Sequence, residues 1–335
     1  MREIEAERWL SILENLGRAP NTLAAYRCAL DDYLAFCAQQ HRQPQDANRE
    51  HISLYVRSMT GRPMPGKEAT SAGTPRSGLA NATIRQRLTA VRLYHDHLVE
   101  EDIRPDNPVG RGRYTPHGGF GGARPRALVP RYTALPWIPD DTEWRALLEA
   151  VRVGPLRNRL MLALAYDAGL RREELCSLAT GDIDPANKLL HVRAETTKGR
   201  RARVVPYSAP TGALLSGYLA HRRTLTRERG LLFVSESRRN RAKPITLWTW
   251  SKVVQALARQ CGLSQLGTHT FRHLCLTDLA RAGWELHEIA TFAGHRSTSI
   301  TLLYIHLSGR ELAAKLARAA CLHGKRMAQV AEALG

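Results

Sequence analysis

Apolar positions recur with a helical period through the first third of the chain. Ile4, Trp9, Ile12, Leu13 and Leu16 mark one helix over 4–16, and Leu23, Tyr26, Leu30, Tyr33, Leu34 and Cys37 mark a second over 21–40. Asn21 and Thr22 after Pro20 supply the start signal of the second. A third helix is expected from His51 to about Met59. A fourth is expected over 80–100, carried by Ile84, Leu88, Val91, Leu93, Tyr94 and Leu98. Between these two, residues 60–78 are rich in Gly, Pro, Ser and Thr and read as a loop. Residues 1–103 are thus expected to form a small all-helical domain.

Periodicity stops from Arg104 to Pro139, where Gly, Pro and Arg dominate and five arginines fall between 111 and 131. This segment, 104–139, reads as a long basic linker able to lie along a phosphate backbone. Helical patterns resume near 140–151 and 155–168, with a third starting at about Arg171. Two β-rich runs, Lys188–Ala194 and Arg201–Val205, then predict a hairpin turning through Glu195–Arg200. Further helices are expected at 209–228, 246–260, 269–282 and 285–292. The tail, 309–335, holds an amphipathic segment over 309–333 with Leu312, Leu316, Met327 and Val330. The fold class is therefore mainly α with a small β-hairpin or sheet (α+β), in two domains, the second spanning 140–308.

Charge changes this picture. The net charge is +18, with arginine supplying 42 of the 49 basic residues, and planar guanidinium forks favour paired contacts to phosphate. Residues 1–110 hold 14 bases and 14 acids, so the whole excess lies in 111–335. A polyanion, most simply double-stranded DNA, is the partner expected there. No run of 18 apolar residues exists, so no membrane partner is expected. The acidic start has no apolar signal core, and the six cysteines form no C-x-x-C pair, which together suggest a reducing cytoplasm. A zinc site from Cys261, His269, His273 and Cys275 fits no usual ligand spacing.

The chemistry concentrates late in the chain. Thr268-His-Thr-Phe-Arg-His273, Gly294-His295 and Tyr304 place imidazoles, a guanidinium and a phenol within 36 residues. His269 and Arg272, three apart on a helix, share a face, and His273 lies one residue off it. Arg171 stands in Gly169-Leu-Arg-Arg-Glu-Glu-Leu175, and Lys198 in the hairpin turn beside Arg200 and Arg201. Arg85 and Arg92 share one face of the fourth helix, as a solvated stripe or a DNA contact. Glu174, one turn past Arg171, is suited to orienting that helix or an arginine.

Taken in order, G-L-R-x-x-E-L, the hairpin K-G before V-P, H-x-x-R-H, G-H and Y-x-H resemble the tyrosine recombinase (phage integrase) family, including its Xer-like members. The resemblance implies a two-domain DNA clamp, a helical core-binding (SAM-like) domain joined to a catalytic domain. It implies Tyr304 as nucleophile, Arg171 and Arg272 as phosphate clamps, Lys198 as leaving-group acid, His269 as acid/base and His295 as hydrogen-bond donor. A 3′-phosphotyrosyl link conserves bond energy, so no cofactor and no metal is implied. The implied partner is a specific recombination site bound by a homotetramer through a Holliday junction, with the tail docking in trans or capping its own core. The implied setting is the bacterial cytoplasm at the nucleoid, for integration, excision or resolution, as on a mobile element. A type IB topoisomerase-like enzyme or a catalytically silent DNA-binding regulator would share the scaffold. Phe271 stands where the family commonly has an aliphatic, and 60–78 and 104–139 are long for a compact Xer-like protein.

Overall fold

The computed structural model describes residues 2–61, 78–110, 128–129, 135–197, 199–296, 300–302, 304, 326 and 332. The chain divides into two compact units, Met1–Thr133 and Ala134–Gly335.

The first unit is built from α1 (Arg2–Asn15), α2 (Pro20–Gln39), α3 (Arg49–Met59) and α4 (Asn81–Glu100). Each matches a helix expected from periodicity to within two residues. Pro20 opens α2, where its missing N–H costs nothing, and the Asn48 side chain accepts from His51 N to cap α3. Trp9, Leu30, Tyr94 and Leu98 fill one cluster, and Tyr33, Cys37, Ile52, Tyr55, Ile84 and Val91 fill another. Arg85 and Arg92 are both half-buried on α4. Leu79 N donates to Met59 O at 2.8 Å, tying the end of α3 to the approach of α4. The loop expected at 60–78 otherwise lies outside the described residues.

The linker assignment needs correction at its start. Arg104 is buried and donates to Pro44 O at 3.2 Å, Ala47 O at 3.0 Å and His95 Nδ1 at 3.0 Å. Tyr33 Oη meets the other ring nitrogen of His95 at 2.9 Å. Burial and the adjacent guanidinium lower the His95 pKa to about 3. Val109 and Val129 join the core of the same unit. The Gly/Pro content suggested free chain, but one arginine satisfying three buried acceptors outweighs composition.

The second unit contains α5 (Asp141–Arg152), α6 (Leu156–Asp167), α7 (Arg172–Cys176), β1 (Ile183–Asp184), β2 (Leu189–Val192), β3 (Arg203–Pro206), α8 (Ala209–Leu225), α9 (Leu247–Gln260), α10 (Thr270–Arg281) and α11 (Leu286–Ala293). Asp140 and Glu143 form a reciprocal capping box that starts α5. The sheet is antiparallel in the order β1-β2-β3, with Ile183 opposite Leu190 and Leu190 opposite Val205. The expected hairpin is therefore the larger part of a three-stranded sheet, and β1, two residues long, is too short to leave a period-2 signal. The hairpin strands are shorter than expected because Ala194–Thr196 forms a 3-10 turn and Arg200 takes a positive φ of 51°. The core runs through Leu160, Leu164, Leu175, Leu190, Val205, Tyr218, Phe233, Trp250, Phe271, Leu276 and Ile289. Apart from residues 326 and 332, the amphipathic segment expected at 309–333 lies outside the described residues. No helix among the described residues is long and apolar enough to cross a membrane.

Candidate active site

Three backbone features converge on one spot of the second unit. Gly169, with φ +56°, ends α6 and turns the chain into Arg171; a Cβ there would meet Phe292 Cε1 at 3.0 Å. Gly294, with φ +61°, ends α11 in a left-handed cap, where a Cβ would press the Arg203 side chain at 3.1 Å. The first turn of α10 carries His269 as N-cap, then Arg272 and His273. Glycine at 169 and 294 thus answers both a backbone and a steric demand.

Arg272 is buried and held as a fixed fork. Its Nη1 donates to Gly169 O at 2.5 Å, and its Nη2 donates to Ala293 O at 2.6 Å and to His295 Nε2 at 3.1 Å. Three of five guanidinium hydrogens are thereby used, leaving the Nε hydrogen and one Nη1 hydrogen. Desolvation, then the like charge of Arg171, lowers its pKa to about 10, so it stays protonated at neutral pH. An arginine placed this rigidly needs no reorganisation to receive an anion.

Arg171 is organised through Glu174, as the sequence suggested. Glu174 accepts from Arg171 N at 2.9 Å and from Arg171 Nη1 at 2.7 Å. Arg203 closes a two-pronged bond on the same carboxylate at 2.9 and 2.7 Å and reaches Phe292 O at 2.9 Å. Arg171 Nη2 donates to Gly294 O at 3.3 Å, joining this cluster to the Arg272 cluster. Burial alone would raise the Glu174 carboxyl, but the bonds from Arg203 and Arg171 outweigh it and hold its pKa at about 2. The sequence alone does not single out Arg203, one of several bases in and beside the hairpin turn. The available signal was that an acid buried beside Arg171 calls for a second cation.

The histidines divide by environment. His295 accepts from Arg272 on Nε2, so its proton resides on Nδ1, which meets Thr301 Oγ1 at 2.9 Å. Its pKa falls to about 3, first from burial and then from Arg272, Arg171 and Arg203. His269 is exposed at the mouth of the site, yet enough protein surrounds its ring that desolvation, followed by Arg272, Arg172 and Arg171, lowers its pKa. His273 meets the Tyr304 hydroxyl through Nδ1 at 3.0 Å, and burial, His269 and Arg272 lower its pKa to about 4. Setting His273 apart from the His269 face overlooked the four-residue spacing, which also shares a helix face; the two rings stand 6.4 Å apart.

Tyr304 is buried. Its ring stacks on His295 at 6.1 Å and 8°, and desolvation raises its pKa, while Arg272 and Arg171 oppose that rise. Lys198 and His306 lie outside the described residues. Thr197, which precedes Lys198, donates to Ala194 O at 2.9 Å and accepts from Arg201 N at 3.0 Å. On the other side, a Cβ on Gly199 would sit 3.8 Å from Cγ of Arg296, the residue after His295. Arg200 and Arg201 are exposed on this turn.

These pKa values make the second unit acid-sensitive. His273 and His295 are neutral when folded and ordinary when unfolded, so the unfolded chain takes up protons first as pH drops below about 6.5. Stability is fully present above that pH and is lost toward pH 4, by roughly 2 to 3 kcal/mol per pH unit for the pair. Urea unfolding of the free protein from pH 7.5 to 4.5 should show this slope. A flat profile to pH 5 would overturn it.

A model of the phage integrase family matches residues 140–311, and a model of the phage integrase N-terminal SAM-like domain matches residues 6–102. A tyrosine recombinase XerC of Mycobacterium sp. (strain KMS) is 27% identical over 307 residues, 89% of this chain and 92% of its own length. A XerC of Mycobacterium tuberculosis (strain CDC 1551 / Oshkosh) is 29% identical over 313 residues, 90% of this chain and 93% of its own. Among solved structures, a lambda integrase (75–356) dimer bound to a COC′ core site matches with a TM-score of 0.65 at 17% identity, covering 90% of this chain and 94% of that one. XerH site-specific recombinase in a post-cleavage complex with a palindromic difH substrate matches at 0.64 and 17%, covering 88% and 78%. At such identities the structural likeness is one of fold.

Proposed function

The chain belongs to the phage integrase family and is a tyrosine-class site-specific DNA recombinase, and on that premise we propose that Tyr304 is the nucleophile that joins it to DNA. The observation that carries this reading is the buried phenol of Tyr304, stacked on His295 while His295 is bonded to the immobilised Arg272.

Attack by a phenol on a phosphodiester places extra negative charge on the non-bridging oxygens of a five-coordinate phosphorus. The free Nε and Nη1 hydrogens of Arg272 stabilise that charge, together with the donors Arg171 keeps outside its Glu174 and Gly294 bonds. The DNA 5′-oxygen leaves with a proton from Lys198, carried on the turn that ends against Arg296. His269, at the exposed mouth, serves as acid/base near the incoming strand, and His295 steadies Arg272 and the phenol ring. The covalent 3′-phosphotyrosyl link then waits for a 5′-hydroxyl from the partner duplex, which reverses the same steps.

The double-stranded DNA partner meets the basic excess of residues 111–335. The premise extends to a homotetramer on two recombination sites, resolving through a Holliday junction in the bacterial cytoplasm. Incubation with a nicked suicide substrate carrying the site, followed by digestion and mass mapping, tests the nucleophile. The nucleotide-bearing peptide should contain Tyr304; an adduct on another residue, or none, overturns the assignment. Lys198→Ala should slow cleavage of ordinary DNA by about 10²-fold or more yet cleave a 5′-phosphorothiolate at close to the wild-type rate, since sulfur leaves unprotonated. Equal slowing on both substrates would remove Lys198 from the acid role.

A further inference from the structure

We propose that His273 is a further catalytic residue, the base that takes the proton from the Tyr304 hydroxyl as that oxygen attacks phosphorus. The inference rests on Tyr304 being the nucleophile.

The geometry favours His273 over the other imidazoles. Its Nδ1 lies 3.0 Å from the phenol oxygen, within the reach expected of a general base. The two rings stand 5.7 Å apart at 34°, so the imidazole edge addresses the hydroxyl. His295 lies parallel to the same phenol at 8° with ring centroids 6.1 Å apart, and both its nitrogens are engaged, Nε2 by Arg272 and Nδ1 by Thr301. Neither nitrogen is left to take the hydroxyl proton. Among the described residues, the side chain that accepts from the phenol is His273, through Nδ1.

The placement is built in rather than incidental. His273 sits one turn into α10, immediately after Arg272, with its backbone N donating to His269 O at 3.0 Å and its O accepting from Thr277 Oγ1 at 2.8 Å. The residue that clamps phosphate and the residue that addresses the phenol are thus adjacent on one rigid helix start. A phenol donates one hydrogen, so a neutral ring with its proton on Nε2 accepts it on Nδ1. Tyr304 needs such help: desolvation raises its pKa, and a buried phenol is a poor nucleophile while protonated.

The step balances. The Tyr304 O–H bond breaks, its electron pair forms the new O–P bond, and the proton passes to Nδ1 of His273. The bond from phosphorus to the 5′-oxygen breaks and that oxygen is protonated by the leaving-group acid. On religation, Nδ1 returns its proton to the departing phenolate. The groups facing this pair are His269, Arg272 and Cys275 on α10, together with Arg171 and His295. The cations among them disfavour an imidazolium in the free protein. The negative charge gathering on phosphorus offsets that penalty at the moment of transfer.

His273→Asn separates proton transfer from position, because the asparagine oxygen accepts the phenol hydrogen bond but takes no proton. Single-turnover cleavage of the suicide substrate should fall by about 10²-fold or more, with folding and DNA binding retained. The rate of the variant should rise with pH between 7 and 9 where wild type levels off, as phenolate replaces the missing base. Installing a fluorotyrosine at 304, with its more acidic phenol, should recover at least tenfold in the His273→Asn background and little in wild type. A wild-type cleavage rate in His273→Asn, a rate above wild type, or a loss that fluorination and pH leave unchanged would each overturn the base role. If the wild-type adduct does not map to Tyr304, it is instead the nucleophile assignment that fails.

Discussion

Tyr304→Phe is expected to eliminate the covalent protein–DNA adduct while leaving the fold and DNA binding in place. The substitution removes one oxygen. The ring keeps its stacking on His295, and the structural loss is the single bond to His273 Nδ1, a cost of about 0.5–1.5 kcal/mol. The catalytic loss is of another order, because phosphoryl transfer to the protein needs an atom to accept it. Removing a nucleophile from an enzyme that works through a covalent intermediate typically lowers turnover on the order of 10⁴-fold or more. Denaturing gel shifts on a nicked substrate and thermal unfolding, read side by side, make the comparison. An adduct that persists in the variant, or a loss that follows unfolding of the second unit, would contradict the expectation.

Glu174→Ala is expected to damage both stability and activity. The carboxylate is buried between Arg171 and Arg203, and it also caps Arg171 N. Deleting it strands two guanidinium groups with too few acceptors, and breaking a buried ion pair from one side costs about 3–5 kcal/mol. Cleavage should fall by about 10²-fold even where the variant remains folded, because Arg171 loses the contact that aims it. The sign of the pH dependence supplies a second check. The folded-state pKa of Glu174 lies below its unfolded value, so its contribution is present above about pH 4.5 and lost as pH falls toward 2. Glu174→Gln should weaken that acid-side loss and fall between wild type and alanine in stability. Urea unfolding and single-turnover cleavage of the variants test both parts; an alanine variant as stable as wild type would refute the bridging role.

Much of the fold was legible in one dimension. The four helices of the first unit and the helices near 141, 156, 209, 247, 270 and 286 announced themselves by apolar spacing, because one buried face imposes one period. What spacing missed had few residues over which a period could show: β1 and the 3-10 turn before Lys198. Arg104 was misread for a different reason. Its neighbours looked like free chain, and nothing local reveals that Pro44 O, Ala47 O and His95 wait for a donor some 60 positions earlier or nine positions back.

The site divides along the same line. Residue types and spacing alone identified a family, a nucleophile candidate and the side chains suited to holding a phosphate, since that chemistry demands particular functional groups in a particular order. Tertiary structure decided how those groups are paired. Arg203 reaches Glu174 across 29 positions, Arg272 reaches Gly169 across 103, and Arg171 reaches Gly294 across 123. Only the packing of α6, α10, α11 and β3 brings those ends together. The assignment of one histidine to steady an arginine and another to face the phenol follows from ring directions. Those directions depend on neighbours distant in sequence, and helical spacing does not encode them.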